Sequence, residues 1–133
     1  MDECDYTILV VGSGWTGGSA DALMDEELDL LADEVYGDAF REGEPARFLL
    51  ANDGHDGMAG AAARWAAGHP RSAALAVDLP EPMSREAMLG LWGRLPGERL
   101  DLCLACPCDS RSDTRTWSVI RAASDAGVEV RVL

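Results

Sequence analysis

A chain of 133 residues is the size of one domain able to bury a core of its own, and no apolar stretch approaches the roughly 18 residues of a membrane helix. The formal net charge of −13, with 13 acidic and two basic side chains inside residues 1–50, excludes nonspecific attraction to nucleic-acid phosphates. The acidic opening of Asp2, Glu3 and Asp5 is the reverse of a secretory signal, so a cytoplasmic protein without membrane contact is expected.

The first element is the apolar run Tyr6–Val11, which enters "GSGWTGGS". Gly12, Gly14 and Gly17 match G-x-G-x-x-G between a strand and a helix, where glycines admit a pyrophosphate and a helix amino terminus offers free N–H groups. A packing turn uses the same glycines. The acidic residue that would hold a ribose is Asp53, well beyond the usual offset of about 20 residues, so no nicotinamide cofactor is expected. Next, Met24, Leu28, Leu31 and Val35 recur at helical spacing, with Asp25, Glu26, Asp29, Asp33 and Glu34 on the other face. The acidic excess is thus mainly one solvated helix face, with docking of a basic partner as the alternative.

A Gly- and Pro-bearing connector, Tyr36–Arg47, leads to a second strand over Arg47–Ala51. The following loop, "NDGHDGMAG", sets Asp53, His55 and Asp56 among Gly54 and Gly57. A carboxylate beside an imidazole can do acid–base work, and the same residues are ordinary turn chemistry. Asp53, His55 and Asp56 are therefore the catalytic candidates, and no metal is expected. A second helix, about Met58–Ala67, turns Trp65 inward. A third strand, Ala73–Asp78, leads through Pro80–Arg85 to a third helix, about Ser84–Leu95, with Met88, Leu91, Trp92 and Leu95 at helical spacing.

The fourth strand, Leu100–Cys106, runs into "PCDSRSDTRTW". Ser110 and Thr116 offer hydroxyls there and Arg111 and Arg115 offer guanidinium forks, the parts that phosphate recognition uses; a Ser/Thr/Asp helix cap uses the same residues. The fourth helix, about Thr114–Ala126, presents Trp117, Ile120 and Ala123, and Gly127 is placed to cap it before the last strand, Val128–Leu133. Cys103 and Cys106 fall three apart on a strand and point to opposite faces, which reads against a shared zinc or redox pair.

Five apolar runs alternating with helical patterns predict an α/β chain: one doubly wound Rossmann-like domain of about five parallel strands, with about four helices on both faces. Ligands of such sheets bind at the carboxyl ends of the strands, which selects the loops Gly12–Ser19, Asn52–Gly57, Pro80–Arg85 and Pro107–Thr116.

A strand ending in Gly12-Ser13 and then Trp15-Thr16, a glycine loop entering "AAARWA", and the segments "LDLCLACP", "TWSVIRAA" and "AGVEVRVL" together resemble the YspA/YpsA-related branch of the SLOG superfamily, from Tyr6 to Leu133. The resemblance implies a small Rossmann-like domain with a nucleotide or nucleotide-derivative pocket. Relatives include phosphoribohydrolases, single-stranded-DNA-binding recombination mediators and sensors of nucleotide signals. It also implies a phage or actinobacterial setting, with which 11 basic residues that are all arginine agree. The chain departs from the family at Gly14, which stands for an arginine, at Asp53-Gly54, Asp56 and Gly57, at Ser84-Arg85, and at Arg115-Thr116. The Pro-Gly-Gly-x-Gly-Thr-x-x-Glu stretch of the hydrolases does not occur.

By this resemblance the ligand-binding set is Gly12, Ser13, Gly14, Trp15, Gly54, Gly57, Ser84, Arg85, Ser110, Arg111, Arg115 and Thr116. The expected function is nonenzymatic binding, sensing or sequestration of a nucleotide-derived small molecule. The alternatives are an N-glycosidic nucleotide hydrolase using Asp53, His55 or Asp56, and a protein-interaction module. The tryptophan-bearing faces would allow two copies to pair.

Overall fold

The computed structural model describes residues 6–12, 22–31, 34, 48–52, 58–69, 72–80, 82–98, 100–106 and 114–133. Five strands form one sheet: β1 (Tyr6–Gly12), β2 (Phe48–Asn52), β3 (Ala73–Ala76), β4 (Leu102–Cys106) and β5 (Glu129–Val132). All neighbours pair in parallel, in the order β3-β2-β1-β4-β5. The helices are α1 (22–31), α2 (Met58–Gly68), α3 (Arg85–Arg94) and α4 (Thr114–Asp125). This is the expected single α/β domain of Rossmann-like form.

The period-two alternation of a strand divides the core into two layers. Ile8 and Val10 of β1 face Met24, Leu28 and Leu31 of α1 and Ala61, Ala62 and Trp65 of α2. Leu9 and Val11 face Met88 and Leu91 of α3 and Val119, Ala122 and Ala123 of α4. Helices on both faces explain why β1, β2 and β4 read as unbroken apolar runs. Cys106 lies in the first layer and Cys103 in the second.

The edge strands depart from that rule. All four residues of β3 are exposed, and β5 is exposed or half-buried throughout, with Val132 at 50%. "AALA" is apolar in composition, yet all of it is open to solvent at the edge of the sheet.

Local signals set the helix ends. Ser84 caps α3, its Oγ accepting from the Ala87 N–H at 3.1 Å, and Glu86 and Arg94 match the poles of the helix dipole. Beyond α4, Gly127 takes φ +87°; its N–H donates to Ser124 O at 3.1 Å, and the Val128 N–H donates to Ala123 O at 2.9 Å. That pair is the Schellman arrangement. The buried stripe of α4 differs from expectation. Ala123 is buried, but Trp117 and Ile120 are only half-buried, and Thr116, Val119 and Ala122 take the inward positions.

The acidic face of α1 is solvated as expected: Asp25, Glu26 and Asp29 are exposed, and so is Glu34 beyond it. Asp29 also accepts from Trp65 Nε1 at 3.3 Å, which links α1 to α2. No helix among the described residues is long and apolar enough to cross a membrane.

Candidate functional site

From β1 the chain proceeds outward to β2 and β3, then returns to place β4 on the other side of β1. Strand order therefore reverses between β1 and β4. α1 packs on one face of the sheet and α4 on the other, and in open α/β sheets a reversal of this kind is where ligand crevices form.

At this switch point lies the Gly12–Cys106 pair, the last partners in the β1–β4 register. Gly12 has φ +130°, and a Cβ at this position would lie 2.1 Å from Cys106 O and 2.7 Å from its carbonyl carbon. A side chain cannot occupy that volume without moving a strand, so glycine is required by sterics and by backbone angle together.

Beside it, β2 ends on Asn52, a buried amide at 6% exposure. Its Nδ2 donates to Leu50 O at 3.3 Å, and its backbone carbonyl accepts from the Val77 N–H at 2.7 Å. Asn52 thereby fixes where the chain goes after β3. On the far side α4 begins at Thr114. Arg115 is half-buried, while Thr116 is buried at 3% exposure. Ser118 locks this first turn: its Oγ donates to Arg115 O at 2.8 Å and accepts from the Met83 N–H at 3.0 Å.

Sequence reasoning puts Ser84 and Arg85 on the same pocket as Thr116. The structure places Ser84 as the α3 cap and directs Arg85 Nε to Asp125 O, at 3.3 Å, at the last turn of α4. Ser84 and Arg85 line a depression of about 240 Å³ with Ser118, Arg121 and Asp125, and through Ser118 it reaches the first turn of α4.

Of the remaining candidates, Ser13, Gly14, Trp15, Asp53, Gly54, His55, Asp56, Gly57, Ser110 and Arg111 lie outside the described residues. Asn52 and Ser118 were not singled out as site residues by sequence. Asn52 had a signal in principle, as a polar residue closing an apolar strand at a ligand-facing end.

The two described thiols offer no shared chemistry. Cys103 and Cys106 face different layers of the sheet, and burial pushes the Cys103 thiol up to about 12. Among the described residues no group of three or more His, Cys, Asp or Glu side chains lies together.

The fold defines a doubly wound α/β domain with its switch point between β1 and β4. No protein-family model, no curated protein and no solved structure matches the chain.

Proposed function

We propose that the protein binds a nucleotide or nucleotide-derived ligand at the carboxyl ends of β1 and β4, without turning it over, as a divergent SLOG-type domain. The observation that carries the reading is the reversal of strand order at the β1–β4 pair, where Gly12 is held against Cys106. In open α/β sheets that is where ligands bind. α4 follows β4 in the chain and carries Arg115 in its first turn, and a helix amino terminus with a guanidinium is the combination that anion recognition uses. In the sequence, Ser13 and Gly14 follow Gly12, and Ser110 and Arg111 precede α4, residue types that phosphate recognition uses. The reading as a binder rests on the missing hydrolase stretch.

A thermal-shift panel of NAD, ADP-ribose, purine mononucleotides and cyclic dinucleotides tests this. A ligand at 100 times its Kd stabilises by about 2.7 kcal/mol, a shift of several degrees for a domain of this size. The expected result is one class of ligand that shifts the wild type, loses its effect in Arg115→Ala, and is recovered intact. Silence across the panel refutes the nucleotide reading, and release of free base refutes the nonenzymatic one.

A further inference from the structure

α3 turns Met88 and Leu91 into the core. Its opposite face carries Glu86, Leu89, Gly90, Gly93 and Arg94, all exposed, with Leu89 at 42%. A solvated helix face is ordinarily polar throughout. This one presents a leucine and two glycines, and glycine is the poorest helix former after proline. Among the described residues nothing requires glycine there: a Cβ at Gly90 or Gly93 would meet no atom within 4 Å, and neither residue has positive φ. Beside the face runs a groove of about 550 Å³, with Leu79, Pro80 and Ala87 in its walls.

The charges on this face complement one another about its centre. Glu86 stands four residues before Gly90 and Arg94 four after it, and neither takes part in a salt bridge within the described residues. We propose that this face is a homodimer interface, in which α3 packs antiparallel on α3 of a second copy about a twofold axis beside Gly90. That operation sets Glu86 of each copy opposite Arg94 of the other, brings the two Leu89 side chains together, and uses the glycines for close helix approach. It also answers the charge problem of joining two chains of −13. α1, which carries the acidic face, lies in the opposite helical layer from α3, so this pairing holds the two acidic faces far apart.

Sedimentation equilibrium on the full chain tests the proposal, with circular dichroism to confirm folding of each variant. The wild type is expected to be a dimer, Glu86→Arg and Gly90→Glu monomers, and the Glu86→Arg/Arg94→Glu swap a dimer again. Oxidation of the Leu89→Cys variant is expected to join two copies through the introduced thiols, a link identified by peptide mass spectrometry that the exposed α2 control Ala63→Cys does not form. If Gly90→Glu fails to fold, the charge swap and the cross-link still decide. A wild type that is monomeric at every soluble concentration overturns the proposal and leaves the face to a different protein. A dimer that survives Glu86→Arg, or a swap that stays monomeric, overturns it equally.

Discussion

Replacing Gly12 with alanine adds one methyl group at the tightest point of the sheet. The new Cβ would fall 2.1 Å from Cys106 O, far inside van der Waals contact, and both strands are buried on both faces. Relief requires β1 and β4 to part at their last register pair, and such overpacking costs about 1–3 kcal/mol. The φ of +130° adds about 1–3 kcal/mol of backbone strain for an L residue. The sum, about 2–6 kcal/mol, is a large share of the roughly 5–15 kcal/mol that holds a domain folded. Its midpoint corresponds to a fall in Tm on the order of 15 °C. Gly127→Ala is the control, because Gly127 has φ +87° but no atom within 4 Å of its Cβ position; it should lose only about 1 kcal/mol. Urea unfolding followed by tryptophan fluorescence measures both, with the m-value expected to hold constant. If Gly12→Ala falls within about 0.5 kcal/mol of Gly127→Ala, the close approach of the two strands at the Gly12–Cys106 pair is refuted.

Two further outcomes are expected. Burial, and then the negative charges of Asp101 and Glu129, raise the Tyr6 hydroxyl above its ordinary value. The folded state therefore holds this proton more tightly than the unfolded one, and stability falls as pH rises past about 10. Tyr6→Phe should flatten that alkaline decline in urea melts at stepped pH, and an unchanged slope would show that the phenol is not its source. The Cys103 thiol, pushed up to about 12 by burial, should resist iodoacetamide at neutral pH until the chain unfolds. Peptide-resolved labelling checks this, and prompt native-state modification of Cys103 would contradict it.

The three inner strands were legible because burial on both faces leaves them no polar positions, and "ILVV", "FLLA" and "LCLAC" show that directly. Gly127 was legible as a cap because a left-handed φ narrows the choice of residue, whereas Ser84, read as a ligand contact, caps α3. Alanine is compatible with either environment, so "AALA" gave no sign that β3 would be exposed. Alanine also blurred α4: with Ala122 and Ala123 adjacent, a stripe through Trp117 and one through Thr116 fit almost equally well, and packing against β4 and β5 selected the second. Gly12 itself was picked out by its motif at the end of an apolar strand. The reversal beside β1 is a property of strand order, which alternating strands and helices leave open. The bond from Arg85 to the last turn of α4 spans 40 residues, and no local pattern encodes such a contact.

The central place of β1 has a consequence for how the chain assembles. β2 lies about 40 residues downstream, but β4 closes the other edge of β1 only when Asp101 reaches Thr7, where its Oδ2 accepts from the Thr7 N–H at 2.8 Å across 94 positions. At ribosomal rates of about 5–20 residues per second, that edge waits on the order of 5–20 s for its partner. Throughout that interval "ILVV" is an apolar strand with one unpaired side, the type of segment that seeks other chains. The dense negative charge clustered around it in the first 50 residues then acts before any fold exists, keeping nascent copies apart until β4 arrives.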